Sequence, residues 1–312
     1  MILEKHGTPD ILKEIINENI TTFKDIISNN NNFNLNLNIN KSNTLENGKI
    51  LYLKCDLDIN FHFDKKYNYT GDINYLSIIN SNFKNCIINI FLPFDSEINK
   101  SLSALAHELL HLYELYQVKK IIKKTSWQNI TNLINIEKLD LFKFSSINHF
   151  KNMFYLSLPH EVNARVTSIH FYLLGFETND KEFLLKKLKE TIEWRYFLML
   201  KNFNIDEYIK ILYKELDTDA IINIFNFLNF NLKINFKLKN KNDIEKYLNK
   251  IKKYFEDVSI TYNKKIMKII FDISNSIIKE KIHEDKYILS LEEIIEQKNS
   301  YRETKINYID YF

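Results

Sequence analysis

The segment His107-Glu108-Leu109-Leu110-His111 constrains this chain more than any other. Residues four apart on an α-helix face the same way, so a helix here aims two imidazoles at one point and sets a carboxylate about 100° round from them. That is the H-E-x-x-H arrangement, in which two ring nitrogens bind one tetrahedral metal ion and the glutamate stands clear of the ligand positions as a general base. With only 8 His in 312 residues, about one shuffled chain in a hundred would contain it. Its surroundings read as a helix. Ile98, Leu102, Leu105, Leu109, Leu112 and Tyr116 recur at steps of three and four, a buried stripe that leaves both histidines to one side. Asp95 or Ser96, just after Pro93, can cap its start. Ala104 is a small residue one turn before the histidines, and Glu114 can accept a hydrogen bond from a ring N–H. The competing reading is an ordinary amphipathic helix, but polar faces in this chain are otherwise built from Lys, Asn and Glu.

A metal site of this kind needs a third protein ligand and an open position. The sequence offers one fifty residues on, in Leu158-Pro159-His160-Glu161-Val162-Asn163-Ala164-Arg165. Proline suits the first position of a helix, and Val162, Val166, Ile169 and Leu173 mark an apolar stripe beyond it. Glu161 then projects from a second helix with Ala164 beside it, small enough for the two helices to approach closely. Arg165 can orient that carboxylate or hold a substrate carbonyl. His160 is the alternative: it can replace Glu161 as ligand, donate a hydrogen bond to a tetrahedral intermediate, or cap the helix. His149 and His170 are further ligand candidates that read more simply as ordinary polar and boundary residues. Tyr155 and Tyr113 can donate to a developing oxyanion, although with 18 Tyr in the chain packing is the simpler account of either.

These two stretches, residues 86 to 116 and 155 to 173, resemble the zincin metallopeptidases of the gluzincin type. In that family the H-E-x-x-H helix gives two zinc ligands and the base, and a glutamate on a later helix gives the third ligand. The chain departs from the metzincin pattern, because Leu112 to Gln117 contain neither its glycine nor its third histidine. It is also loosely similar to H-E-x-x-H proteins of AT-rich phages and bacteria. The resemblance implies Zn2+ as cofactor, with His107, His111 and Glu161 as ligands and Glu108 as base. It further implies that the strand before the active-site helix is a sheet edge on which a peptide lies, here Ile87, Ile88, Asn89, Ile90 and Phe91.

Composition excludes several classes. A net charge of +3 from 43 basic and 40 acidic residues, with the lysines spread along helix faces, gives no nucleic-acid footprint. No apolar run approaches the roughly 18 residues that span a bilayer, and the first residues lack a basic leader with an apolar stretch. The expected location is cytoplasmic or virion-associated. Cys55 and Cys86 fit no paired motif and read as free thiols. Gly 4 and Pro 3 leave asparagine to fill many turn positions.

Along the chain, residues 9 to 28 read as helix, and Phe33, Leu35, Leu37 and Ile39 alternate as a strand. A second strand alternates Cys55, Leu57, Ile59, Phe61 and Phe63 with polar residues, His62 among them on the wet face. A turn is expected around Gly71, then a strand over 86–92. From residue 177 the pattern is helical over 180–203, 205–228, 243–281 and 284–299, interrupted by a Lys-decorated strand from Phe230 to Leu238. The expected fold is α+β: a zincin-like catalytic domain over 1–176 with a mainly antiparallel sheet, and a mainly helical domain over 177–312 that can close the cleft or dock a protein partner. The expected function is zinc-dependent cleavage of a peptide or protein. The alternatives are a structural or interaction protein on the same scaffold, with zinc or without metal and without hydrolysis, and an amidase acting on a substrate such as cell-wall peptide.

Overall fold

The computed structural model describes residues 9–44, 50–74, 78, 81, 84–121, 144–231 and 235–281. Over them the protein is α+β, with one four-stranded sheet and helices before and after it. The chain divides into two compact units. The first joins Met1–Asn135 to His160–Glu177, and the second joins Ile136–Pro159 to Thr178–Phe312.

The first unit opens with helices α1 (Asp10–Glu18) and α2 (Ile20–Asn29), so the helical pattern at 9–28 breaks once, where the Asn19 side chain turns back to the carbonyl of Ile15. Strands β1 (Phe33–Thr44), β2 (Ile50–Phe63), β3 (Thr70–Ile73) and β4 (Asn85–Leu92) follow, in the spatial order β1-β2-β4-β3. β1 pairs antiparallel with β2 and β3 with β4, whereas β2 and β4 run parallel. Strict alternation along β2 and β4 buries Leu57, Ile59, Cys86, Ile88 and Ile90 on one face, in a core shared with α1, α2 and the helix that follows. The other face is polar. Asn34 donates to Asn60 at 2.5 Å, Asn60 to Asn89 at 2.9 Å and Asn89 to Asp72 at 2.6 Å, a row of side-chain hydrogen bonds running in register across all four strands. Cys55 and Cys86 are buried free thiols on the inner face.

Two expectations about this region are corrected. The reversal lies not at Gly71 but at Asp64–Tyr67, where the Asp64 carbonyl and carboxylate accept from Tyr67 and Lys66; Gly71 is inside β3. Ile87–Phe91 is not an edge, because β4 is paired on both sides and β3 is the terminal strand. The resemblance implies an edge at the last strand before the helix, but the parallel β2–β4 pairing draws it inward.

Helix α3 (Ile98–Ile121) then crosses the sheet. Asp95 and Ser96 do not cap it: Asp95 takes a left-handed φ of 60° and the Ser96 hydroxyl returns to the carbonyl of Pro93. Leu102, Leu105, Leu109 and Leu112 are buried as the stripe predicts, and so are Ala106, Leu110, Tyr113 and Leu115, so the helix is enclosed on nearly every side from Ser101 to Leu115.

In the second unit α4 (Ser145–Ser157) precedes α6 (Lys181–Lys189), α7 (Ile192–Lys201), α8 (Ile205–Glu215), α9 (Thr218–Asn231) and α10 (Lys241–Lys281). The single boundary expected at 176/177 therefore misses two earlier crossings, because residues 144–158 pack with the later helices. Phe150 meets Tyr208, Phe225 and Tyr247, and the Ser146 N–H and hydroxyl both donate to Glu215. The helical spans at 180–203 and 205–228 each split in two, at Thr191, which caps α7 through Trp194 N–H, and at Asp217, which accepts from Ala220 N–H. The strand expected over Phe230–Leu238 does not appear among the described residues of that span. Phe230 and Asn231 end α9, and 235–239 is irregular chain held by helix side chains. Asn226 exchanges two hydrogen bonds with Leu238 and Asn229 donates to the Phe236 carbonyl, so side-chain amides do the work of a neighbouring strand. The helix expected at 284–299 and the aromatic tail lie outside the described residues. No helix among the described residues is long and apolar enough to cross a membrane.

Candidate metal centre

Pro159 decides where the third candidate ligand stands. The residue before a proline is driven out of the helical region, and Leu158 is extended at φ −63° and ψ 138°. This ends α4 and starts α5 (Pro159–Leu174) with proline at its first position. Glu161 falls in the first turn, where the helix dipole favours a carboxylate. Val162, Val166, Ile169 and Leu173 are buried along α5, and Ala164 is fully buried. Asn163 on α5 donates to Glu114 on α3 at 3.1 Å, which ties the two helices together near the site.

His107, His111 and Glu161 converge, their ligand atoms all within 4.8 Å of one another. The Nε2 atoms of the two histidines are 3.1 Å apart, His111 Nε2 is 3.2 Å from Glu161 Oε1, and His107 Nε2 is 3.6 Å from Glu161 Oε2. Ligands at about 2.0–2.1 Å from a tetrahedral ion stand about 3.3 Å from each other. The two histidines face different oxygens of the Glu161 carboxylate, and all three distances lie near that value, so the cluster has the size that a divalent ion requires. Two imidazoles and one carboxylate form a three-ligand set of the kind that leaves a fourth position open.

Burial and the mutual charges of the cluster set its electrostatics. Burial works against a charge on His111, but the Glu161 carboxylate, by proximity and a direct hydrogen bond, outweighs it and lifts His111 to about 9. Burial and then the charge of His111 hold His107 well below the ordinary imidazole range. For Glu161, burial opposes ionisation, yet His111, His107 and Arg165 overcome it and keep the carboxyl well below its usual value. Arg165 Nη2 lies 3.3 Å from Glu161 Oε2, orienting the carboxylate from its own helix.

Of the other candidates, His160 stands beside the cluster, with Nε2 3.8 Å from Glu161 Oε1 and its ring 5.7 Å from that of His111; burial lowers it to about 4. Glu108 is buried at 6% exposure, on the side of α3 that faces β3, and burial raises it to about 7. Glu114 serves Asn163, and its charge also favours protonated His111. Tyr155 is exposed on α4, in the other unit. His149 is also on α4, 6.2 Å from the Tyr208 ring. His170 lies on α5, where burial and then Lys13 lower it to about 3, and His62 stacks on Phe91 at 5.1 Å. Sequence reasoning missed Gly71 and Asn163. A glycine inside an edge strand, in a chain with so few, was the available signal for the first; the second had none beyond its place two residues after Glu161.

Compared with protein-family models, with characterised proteins and with solved structures, the chain matches none. The functional reading therefore stands on the geometry of the cluster.

Proposed function

We propose that the protein is a zinc-dependent hydrolase of the zincin kind, a metallopeptidase with Glu108 as its general base. The observation that carries this reading is the convergence of His107, His111 and Glu161, whose ligand atoms lie within 4.8 Å of one another, with an acidic residue next in sequence to the first ligand. A structural metal site needs no base beside its ligand and closes its fourth position.

Zinc, when bound, lowers the pKa of water to about 7 and polarises a carbonyl. The chain's own groups do the rest. His107, His111 and Glu161 hold the ion, and Arg165 fixes the Glu161 carboxylate. Glu108, desolvated and raised to about 7, is poised to accept a proton from the attacking water near neutral pH and to deliver it to the leaving nitrogen. His160 supplies an N–H beside the cluster for the oxygen that becomes negative. A peptide substrate would add to the sheet along β3, the terminal strand, in place of the inner β4 that the resemblance suggested.

The test is the Glu108→Gln variant, which keeps size and hydrogen bonding but removes the basic oxygen. Its zinc content should equal the wild type's, while cleavage of a mixed peptide library, read by mass spectrometry, should fall by about 10² or more. A wild type that binds zinc, cleaves nothing in peptide and cell-wall libraries and matches Glu108→Gln throughout would move the assignment to a zinc-binding scaffold.

A further inference from the structure

Gly71 occupies the interior of β3, where glycine is a poor strand former and has nothing to pack. Its φ lies outside the left-handed region, so backbone freedom is not what the position demands. It demands room. A Cβ at residue 71 would stand 2.5 Å from Glu108 Cγ, 3.0 Å from Glu108 Cδ and 3.0 Å from the Asn89 carbonyl oxygen. Carbon atoms in contact prefer about 3.5–4.0 Å, so a methyl group there must displace something. β3 cannot easily retreat. Gly71 pairs with Ile90 and Asp72 with Asn89, the Asn89 amide holds the Asp72 carboxylate at 2.6 Å, and Asn74 N–H donates to the Ile87 carbonyl at 3.0 Å. The Glu108 side chain is the group left to move.

We infer that Gly71 is a positioning residue: the bare backbone of β3 fixes where the Glu108 carboxylate stands relative to the His107–His111–Glu161 cluster. The inference rests on the reading of Glu108 as the base. The nearest atoms that a methyl would meet belong to Glu108 and Asn89, not to the ligands, so Gly71→Ala separates placement of the base from binding of the metal.

The experiment uses full-length, zinc-loaded wild type, Gly71→Ala, Glu108→Ala and the double variant. Zinc per chain, the urea midpoint, and kcat and KM on a peptide that the wild type cleaves are measured. Gly71→Ala should retain its zinc and its KM while kcat drops by about 10- to 100-fold, the scale set by a misplacement of about 1 Å. It should also lower the urea midpoint clearly beside Glu108 and far less in the Glu108→Ala background, because the contact is then gone. If Gly71→Ala alone does not fold, recovery of folding in the double variant gives the same answer. Unchanged kcat, additive stability effects, or a double variant that folds no better than Gly71→Ala would each overturn the inference. A wild type without hydrolytic activity overturns the enzymatic reading and the catalytic role of Gly71 with it, and the stability cycle then still decides whether the two residues are coupled.

Discussion

The two units bury polar groups in opposite ways. In the second unit Tyr247, Tyr254 and Tyr262 are fully buried on α10, and each hydroxyl donates to a neutral acceptor: Asn229 Oδ1 at 2.7 Å, the Ser157 carbonyl at 2.9 Å and the Glu193 carbonyl at 3.3 Å. In the first unit the buried polar groups are ionisable and crowded. His107 and His111 bring two ring nitrogens to 3.1 Å, and Glu161, at 1% exposure, is met by both and by Arg165. Neutral one-to-one pairs hold a fold together at little cost. A buried charged cluster is expensive to assemble, and ordinary packing would stabilise the same space as well or better. Clusters of this kind are more frequent at functional sites than elsewhere in proteins.

Perturbing each region should therefore give different signatures. The largest effect is expected for His107→Ala and His111→Ala, which should each reduce zinc from about one per chain to background while leaving the second unit's packing intact. Elemental analysis with circular dichroism checks both. Next, zinc should stabilise the wild type by about 4 kcal/mol at a free concentration 1,000 times its Kd and should not stabilise His111→Ala, as thermal melts with and without chelator would show. Equal stabilisation of both would place the ion elsewhere. Tyr254→Phe should do the reverse of the histidine variants. It leaves the Ser157 carbonyl without its buried donor, costs about 1–3 kcal/mol in urea unfolding, and leaves zinc stoichiometry unchanged.

The effect that is smallest near neutral pH, and grows only in acid, is a pH dependence away from the cluster. His170 is held neutral down to about 3 in the folded protein, by burial and then by Lys13, whereas it takes up a proton near 6.5 once unfolded. The unfolded state thus binds more protons between these values. Stability from this group is complete above about 6.5 and declines as the pH falls toward 3. His170→Phe should flatten that part of the urea-midpoint profile measured on chelator-treated protein; an unchanged slope would assign it to other groups.

Much of the site was legible because short-range rules govern it. The i, i+4 spacing puts His107 and His111 together, and Pro159 starts the helix that carries Glu161, whatever the rest of the fold does. The strands at Phe33–Ile39 and Cys55–Phe63 followed from alternation in the same way. What failed depended on partners distant in sequence. Nothing local says that β4 lies between β2 and β3, or that residues 144–158 join the second unit. The alternation from Phe230 to Leu238 is a sound strand pattern, yet its first two residues end α9, and the helix side chains of Asn226 and Asn229 take the backbone groups of Leu238 and Phe236. Gly71 was read as a turn because glycine in a sequence signals backbone freedom, whereas here it provides space for Glu108.

On the proposed reading, His107, His111 and Glu161 hold the metal and His160 does not. Zinc titration against a chromophoric chelator, on wild type, Glu161→Ala and His160→Ala, tests it most directly. The expected result is about one zinc per wild-type chain. Loss of affinity in Glu161→Ala should exceed the 10- to 100-fold typical of removing a supporting residue, and affinity in His160→Ala should be near that of the wild type. Absence of zinc binding by the wild type, or loss of metal in His160→Ala with retention in Glu161→Ala, would contradict it.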